Sequence, residues 1–384
     1  MPLSAQSPQL GFAGLYVHVP FCARKCGYCA FYSLADSPAA LRQAYLDRLE
    51  REFAEFAARV TTPLESVFCG GGTPTVLEFR ELERLLRSLR RTFRLQPDAE
   101  ISMECNPESL SEDKVAVMAA WGVNRVSLGA QSFSTAHRAT LGRHGDPGRV
   151  GPASRLLRRY GIENLGLDLI YAIPGQTLKE WEWDLRLALE FQPKHLSTYS
   201  LTIEEGSELA NKLKPCNVAA EHDAADTLSV EMWEAAEVAA ETAGLRRYEI
   251  ANFARPGFEC QHNLSTWHGG TYLGCGPAAC SFDGTLRWGN PASLEAWLQP
   301  EIQRELDALP PRERAVETLI FGLRTVAGWD AAEFHTRTGF TFGELRETPL
   351  TRLQAEGLLE LTAKNVHPTR RGLLFNDTIG RELL

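Results

Sequence analysis

The sequence Leu15-Tyr-Val-His-Val-Pro-Phe-Cys-Ala-Arg-Lys-Cys-Gly-Tyr-Cys29 joins an apolar segment to three closely spaced cysteines, Cys22, Cys26 and Cys29. The apolar run predicts a buried strand over Leu15–Val19, followed by a loop at its carboxyl end. Three thiolates at this spacing can hold three irons of a cubane cluster and leave the fourth iron open to another ligand. Zinc is an alternative that needs a fourth ligand, and none is evident nearby because His18 lies on the strand. Three unrelated buried cysteines are a further alternative.

The same order of apolar strand, polar loop and amphipathic helix continues to about residue 205. Strands are predicted at Leu15–Val19, Ser66–Cys69, Glu100–Glu104, Arg125–Gly129, Leu165–Ile170 and Leu196–Leu201. Strands that alternate with helices pair in parallel through right-handed crossovers. The polar and glycine-rich motifs all follow strands, which is typical of active sites at the carboxyl end of α/β sheets. We therefore predict an α/β protein with a partial, open (β/α)6 barrel of the TIM type.

The remaining chain is less regular. A loop is predicted over Asn211–Ala220, a long helix over Asp223–Ala243, and a seventh strand over Tyr248–Phe253. Pro310-Pro311 marks a boundary, after which helices and a short β pair predict a small winged-helix-like α+β domain. The predicted organisation is a tail (1–14), the barrel (15–208), a barrel extension (209–308) and a C-terminal domain (309–384).

Composition limits the classes of function. The 384 residues hold 40 Lys and Arg against 49 Asp and Glu, a net charge of −9 that disfavours general nucleic-acid binding. In residues 311–384, ten basic and ten acidic side chains cancel, so we expect the C-terminal domain to have a packing or lid role. No apolar run is long enough for a membrane span, and the first 14 residues lack the features of a signal peptide. We expect a cytoplasmic protein.

A set of motifs carries a resemblance to a known family. Besides the cysteine loop, these are Tyr16-Val-His-Val-Pro-Phe21, Gly70-Gly-Gly-Thr-Pro74, Glu104-Cys-Asn-Pro107, Gly129-Ala-Gln-Ser-Phe133, Asp168-Leu-Ile-Tyr-Ala-Ile-Pro-Gly-Gln-Thr177, His262-Asn-Leu264 and Leu319-Ile-Phe-Gly-Leu-Arg324. Together they resemble the radical S-adenosylmethionine (SAM) superfamily, and within it the HemN/HemW group, over nearly the whole chain. The resemblance implies one [4Fe–4S] cluster on the three cysteines, with SAM on the open iron. It also implies reductive cleavage of SAM to a 5′-deoxyadenosyl radical.

The resemblance further implies the SAM-binding residues. They are Tyr16, Tyr28, Gly71, Gly72, Thr73, Glu104, Gln131, Arg143, Asp168 and Thr202. The glycines let the backbone approach the methionine end, and the charged side chains pair with its termini or bind ribose hydroxyls. Without the resemblance, the glycine run would be interpreted as a turn and Arg143 as a solvated charge on a loop. Asp168 is different, because a carboxylate inside an apolar strand needs a partner.

Two features distinguish the subgroups. HemN-type coproporphyrinogen III oxidases carry a further cysteine where this chain has Phe31, and they have a longer N-terminal segment. Both departures favour the HemW type, haem-binding proteins that deliver haem to acceptors. The HemW-type motif His-Asn-x-x-Tyr-Trp reads His262-Asn-Leu-Ser-Thr-Trp267 here, and a family histidine is replaced by Cys280.

The resemblance thus names ligands and partners. The haem-binding candidates are His262, Asn263, Trp267 and Cys280, with Cys260 and Cys275 as other thiolate sources. A loop-ordering role is equally open for His262, and core packing for Trp267. The expected partners are haem or a porphyrin, an electron donor for the cluster and an unknown haem acceptor; dimerisation stays open. The runner-up function is oxygen-independent coproporphyrinogen III decarboxylation.

Overall fold

A computed structural model describes residues 11–212 and 219–384 of the chain. Six parallel strands form the centre of the main sheet, and they lie side by side in chain order. They are β1 (Gly14–Val19), β2 (Leu64–Gly71), β3 (Leu95–Cys105), β4 (Arg125–Gln131), β5 (Asn164–Tyr171) and β6 (His195–Ser200). The predicted α/β fold with six consecutive parallel units is confirmed.

Both edges of this sheet are extended by strands from the region after residue 245. The added strands are β7 (Arg246–Arg247), β8 (Asn252–Ala254), β9 (Tyr272–Cys275), β10 (Cys280–Phe282), β11 (Arg287–Gly289) and β12 (Glu305–Asp307). β9 pairs in parallel with β1, and β8 pairs antiparallel with β6. Within the described ranges the sheet has twelve strands. The two-residue strands Phe21–Cys22 and Leu34–Ala35 pair beside it and bracket the cysteine loop.

Helices cover the outer face of the sheet and make up most of the C-terminal region. They are α1 (Ala39–Ala57), α2 (Phe79–Thr92), α3 (Glu112–Ala120), α4 (Thr135–Thr140), α5 (Val150–Arg159), α6 (Leu178–Glu190), α7 (Glu208–Lys212), α8 (Ala219–Thr242), α9 (Gln261–Trp267), α10 (Leu294–Trp297), α11 (Pro311–Gly322), α12 (Ala331–Thr338), α13 (Phe342–Ala355), α14 (Arg370–Leu374) and α15 (Asn376–Leu383). Their starts follow the sequence signals. Ser111 caps α3 by accepting a hydrogen bond from Lys114 N, and Thr177 and Glu180 form a capping box on α6.

Side chains of the central strands alternate between two environments. Val17, Val126, Leu167 and Leu196 face outward and belong to the apolar core under the helices. The residues beside them in the sequence face inward and are mostly polar. Inward-facing examples are Tyr16, His18, Glu104, Arg125, Ser127, Asp168, His195 and Ser197. Because successive side chains of a strand point to opposite faces, the alternation gives the barrel a polar interior.

The structure corrects the predicted seventh strand. Tyr248–Phe253 is not one strand, because β7 ends at Arg247 and β8 begins at Asn252. The intervening backbone turns around Glu249, whose carboxylate accepts a hydrogen bond from Ala251 N at 3.1 Å. A side chain that bonds the local backbone in this way competes with the sheet ladder.

The predicted loop over Asn211–Ala220 is only partly within the described residues. Asn211 and Lys212 end α7, Ala219 begins α8, and residues 213–218, including Cys216, lie outside them. Of the other scattered cysteines, four are buried and Cys280 is exposed. The division into four domains stays a prediction.

The C-terminal region forms its own apolar core around Trp329 and Phe334. Helices α11, α12, α13 and α15 pack there with an antiparallel sheet of β13 (Trp329–Asp330), β14 (Leu359–Leu361) and β15 (Asn365–Pro368). This region also contacts α9. Arg324 stacks its guanidinium 4.6 Å from the centre of the Trp267 ring, and His268 Nε2 lies 3.3 Å from Thr325 Oγ1. The C-terminal region therefore supports the helix that carries the haem-binding candidates.

Gly322→Ala should destabilise the C-terminal core. A Cβ atom at Gly322 would lie 1.9 Å from Trp329 Nε1, and Trp329 is fully buried. We expect a loss of about 2 kcal/mol in the free energy of unfolding, because an overpacked core must shift. Chemical denaturation measures it. The matched control is Gly343→Ala in α13, where a Cβ atom meets nothing within 4 Å and no loss is expected. Equal stability of the two variants would contradict the packing described.

Candidate functional site

The three clustered cysteines lie on a loop at the carboxyl end of β1. All three are unpaired and half-buried. The loop is fixed by backbone hydrogen bonds at Gly27, which donates to Leu141 O at 3.0 Å and accepts from Leu209 N at 2.8 Å. Gly142, at φ +61°, makes room for it, since a Cβ atom there would lie 2.8 Å from Gly27 N. The loop is thus held at a defined position beside α4 and α7.

The electrostatics of this loop suit a cationic group bound between the thiols. Burial raises the pKa of Cys22 and Cys29, and in each case the charge of Cys26 raises it further. Arg143 Nη1 lies 3.6 Å from Cys26 Sγ, and its Nη2 donates to Gly129 O at 2.9 Å. Three thiolates this close repel one another unless positive charge lies among them, and cluster irons supply such charge. The donor set therefore fits an iron–sulfur cluster.

A single metal ion would need a different arrangement of side chains, with its ligands around one point. In the part of the chain that the structure describes, no three His, Cys, Asp or Glu side chains converge on a point where one ion would sit. In a cubane cluster each thiolate ligates its own iron, so the thiols stand further apart.

Next to the cysteine loop, the glycine run after β2 forms a tight cradle. Gly71 has φ +100°, and its N–H donates to Glu104 Oε2 at 3.0 Å. A Cβ atom at Gly72 would lie 2.6 Å from Phe21 O, and one at Gly71 would lie 2.4 Å from the His18 ring. Thr73 completes the cradle, with its Oγ1 3.8 Å from Cys22 Sγ. Only glycine fits these positions, because protein atoms fill the space that a Cβ atom would need, and the cradle thereby packs closely against β1 and the start of the cysteine loop.

Three further SAM-binding candidates lie towards the carboxyl ends of β4, β5 and β6. Gln131 adopts φ +67° at the end of β4, and its Nε2 and Arg143 Nη2 both lie close to Gly129. Asp168 is held by Ser127, whose hydroxyl lies 2.8 and 2.9 Å from the two carboxylate oxygens. This supplies the partner that its place in an apolar strand required. Thr202 follows β6 and is exposed.

Tyr28 does not line the cavity, but its hydroxyl lies within electrostatic range of Arg143 and Asp168. Its ring packs on a small apolar cluster of Leu141, Ile170 and Ile173 at the rim of the barrel. Burial raises the pKa of its hydroxyl. Of the ten SAM-binding candidates, Tyr16, Glu104 and Asp168 line one internal cavity, and the glycine cradle joins them through the hydrogen bond from Gly71 to Glu104.

This cavity has a volume of about 640 Å³ and occupies the barrel interior. Its lining residues are Tyr16, His18, Ala30, Phe31, Tyr32, Phe68, Glu104, Arg125, Ser127, Asp168, His195, Ser197, Tyr199, Asn252, His262, Asn263, Thr266, Trp267, Tyr272, Ala278 and Cys280. The volume is within the range of about 300–1,000 Å³ that is usual for ligand sites. All four haem-binding candidates therefore share one cavity with three of the SAM-binding candidates.

Helix α9 closes one side of the cavity. His262 is buried, its Nδ1 lies 3.0 Å from Ser66 Oγ, and its ring lies 5.5 Å from Phe68. Burial lowers the pKa of His262 to about 4, so the imidazole is neutral at neutral pH. Trp267 Nε1 is buried and has no hydrogen-bond partner among the described residues. Cys280 also lines the cavity, but Cys260 and Cys275 do not.

The sequence reasoning missed the polar residues deeper in the barrel. Arg125, Ser127, His195, Ser197 and Asn252 line the cavity, and none was a candidate. The signal was present, because in β4 and β6 these residues alternate with apolar ones. An alternating strand between two helices indicates that its polar face looks into a lumen.

The comparisons with known proteins agree with this geometry. Residues 16–188 match the radical SAM superfamily, and residues 309–375 match the HemN C-terminal domain. The heme chaperone HemW of Mycobacterium tuberculosis is 34% identical over 97% of this chain and 94% of its own length. The heme chaperones HemW of Bacillus subtilis and Escherichia coli are each 32% identical, over 95% of this chain and 97% and 96% of their lengths.

One solved structure shows the same fold. The radical SAM enzyme coproporphyrinogen III oxidase (HemN) of Escherichia coli superposes with a TM-score of 0.83, covering 99% of this chain and 91% of that one. At 24% identity this likeness concerns the fold alone.

Glu104→Gln should change how stability depends on pH. Burial, with the charge of Asp168 nearby, raises the pKa of Glu104 from 4.5 to about 7. Between those values the folded protein keeps a proton that the unfolded chain releases, so rising pH lowers the unfolding free energy. From pH 5 to 8 the wild type should therefore lose about 2 kcal/mol relative to the variant.

Urea denaturation of the cluster-free protein at both pH values measures this difference. Glu112→Gln, which removes an exposed carboxylate on α3, is the control. If the wild type and Glu104→Gln lose stability in parallel, the raised pKa is wrong.

Proposed function

The chain belongs to the HemN/HemW group of the radical SAM superfamily, and on that premise we propose that it is a haem-binding protein that passes haem to an acceptor. The proposal includes a [4Fe–4S] cluster on Cys22, Cys26 and Cys29, with SAM bound beside it. The single observation that carries it is the shared cavity: one lumen is lined both by residues next to the cysteine loop and by His262, Asn263 and Trp267 of α9.

For the cluster and SAM, the support is the donor set and the cradle. Bound there, the cluster would supply an electron for reductive cleavage of SAM. Arg143 offsets the charge of Cys26, and Thr73 of the Gly71–Thr73 cradle contacts Cys22, which places the cradle beside the proposed cluster and SAM. Glu104 and Asp168 are fixed by Gly71 and Ser127, so their remaining hydrogen-bonding capacity is oriented before SAM enters. The proposed SAM site also includes Gln131, at the end of β4, and Thr202, which follows β6.

For haem, the support is the state of His262. The ring is neutral, and the contact between Nδ1 and Ser66 fixes its orientation, as partners of ligating histidines commonly do. Trp267 presents an aromatic ring and a buried Nε1 without a partner in the described chain. An iron porphyrin needs both an axial ligand and an aromatic surface, and α9 offers them five residues apart.

Phe31 favours haem binding and delivery over decarboxylation of coproporphyrinogen III. It stands where a HemN-type motif has a cysteine, lies at the cavity lining, and is 68% exposed. A large apolar side chain at the mouth is suited to contact with a porphyrin edge or with an acceptor protein.

Partners and compartment belong to the proposal too. The cytosol keeps the three thiols reduced until the cluster forms, and an electron donor must dock near the cysteine loop. The acceptor is a protein that receives haem. Within the described residues, none of the helices is both long and apolar enough to cross a membrane.

Replacing any one of the three loop cysteines should remove the cluster. In Cys22→Ser, Cys26→Ser and Cys29→Ser, one iron loses its thiolate, so we expect the absorbance near 400 nm of anaerobically reconstituted protein to fall by at least about fivefold. Cys280→Ser is the matched control and should keep full iron and sulfide content. Stoichiometric zinc bound by the wild type in place of iron and sulfide would contradict the proposal.

His262→Ala should weaken haem binding while the cluster stays intact. Loss of the axial ligand predicts at least a tenfold higher Kd and a shifted Soret band, and tenfold corresponds to about 1.4 kcal/mol. Anaerobic haem titration measures both. His367→Ala, in β15 of the C-terminal region, is the control and should bind haem as the wild type does. No saturable binding by the wild type would overturn the haem proposal, and SAM-dependent decarboxylation of coproporphyrinogen III would instead favour the runner-up.

A further inference from the structure

The deepest charged group that lines the cavity is Arg125. It is the first residue of β4, pairs in register with Ser102 of β3, and faces the lumen two residues below Ser127. Its side chain is only 2% exposed. The SAM-binding candidate Gln131 lies six residues further along the same strand, which places their backbones about 20 Å apart. Arg125 thus marks the end of the cavity that is remote from the cysteine loop.

This guanidinium has few close hydrogen-bond partners for a buried cation. Its Nη1 donates to Ser102 Oγ at 3.4 Å, and its Nε is buried without a hydrogen-bond partner among residues 11–212 and 219–384. Its ion-pair partner is Glu100, whose Oε2 lies 4.0 Å from Nε. That separation is outside hydrogen-bonding range.

Glu100 is occupied elsewhere. Its Oε2 accepts from Gln261 N at 3.1 Å, and its Oε1 accepts from His262 N at 3.4 Å and from Ser102 Oγ at 3.2 Å. The carboxylate therefore serves the start of α9 rather than the arginine. Arg125 therefore keeps an N–H group without a close acceptor, and a bound anion would supply one.

Other polar atoms around Arg125 are also unsatisfied. His195 Nδ1 and Asn252 Oδ1 are buried without hydrogen-bond partners in the described chain, although His195 Nε2 lies 2.7 Å from Tyr248 Oη. The acidic groups of the cavity, Glu104 and Asp168, lie nearer the carboxyl ends of their strands and bond to Gly71 and Ser127. The cavity therefore has an acidic end beside the cysteine loop and a cationic end at Arg125.

We propose that Arg125 binds a carboxylate of the ligand that fills the cavity, with the unpartnered Nδ1 of His195 as a second hydrogen-bond donor. This inference rests on the proposed function, since haem carries such carboxylates as its propionates. SAM carries one as well, but SAM anchored at the cysteine loop would have to span the whole lumen to reach Arg125. Guanidinium and carboxylate form paired, charge-assisted hydrogen bonds, which would orient the ligand edgewise into the barrel.

The test changes the protein and the ligand together. Reconstituted wild type, Arg125→Gln and Arg125→Lys are titrated with haem, with haem dimethyl ester, in which both carboxylates are blocked, and separately with SAM. The matched control is Arg48→Gln, because Arg48 is also 2% exposed but lies outside the cavity lining. Cluster absorbance confirms that each variant is folded.

We expect Arg125→Gln to weaken haem binding at least tenfold and to leave the affinity for the dimethyl ester within twofold. The haem affinity of Arg125→Lys should lie between those of the wild type and Arg125→Gln. Arg48→Gln should keep the wild-type ratio of haem affinity to ester affinity. A loss of SAM affinity in Arg125→Gln, with the haem-to-ester ratio unchanged, would assign the same pocket to the carboxylate of SAM.

Two results would overturn the inference, and they are distinguishable. If Arg125→Gln weakens the binding of haem and of the ester equally, or weakens neither, and SAM binding is unchanged, then Arg125 contacts no ligand carboxylate. The haem proposal would still stand in that case. Failure of the wild type to bind haem or its ester would remove the proposed function itself, and the carboxylate pocket for haem with it.

Discussion

The alternation of side chains along the central strands is the constraint from which the cavity follows. A parallel sheet inside an α/β barrel must bury one face under helices, and Val17, Val126, Leu167 and Leu196 do so. Every second residue is thereby turned into the lumen. Since those positions hold serines, carboxylates, an arginine and histidines, the lumen does not collapse into an apolar core. The site is thus a property of the whole barrel, to which the loops add the cysteines.

Glu100 links the barrel to the helix that completes the site. Its carboxylate accepts backbone hydrogen bonds from Gln261 and His262 at the start of α9. An anion at a helix N-terminus is favourable, because the first N–H groups have no partner within the helix. Ser66 then fixes the ring of His262 from the neighbouring strand. Two strand residues that never face the cysteine loop therefore decide where the haem-ligand candidate stands.

The sequence predicted the main features because each had a local signal. Apolar runs marked the six strands, and the cysteine spacing marked the loop beside β1. What the sequence did not predict depends on partners far along the chain. β9 pairs with β1 across more than 250 residues, and the Tyr248–Phe253 segment turns because of Glu249. Arg125 was not predicted as a site residue for the same reason. A charged residue at the start of an apolar strand can be identified as a cavity residue only when the positions of the neighbouring strands are known.

The support of α9 by the C-terminal region has a consequence for how the binding site can vary. Arg324 and Thr325 contact Trp267 and His268, yet neither lines the cavity. We expect substitutions at these two positions to shift α9 while leaving the cavity-lining side chains themselves unchanged. The C-terminal region is thus a second layer behind one wall of the cavity, through which that wall can vary in evolution without a change in the cysteine loop.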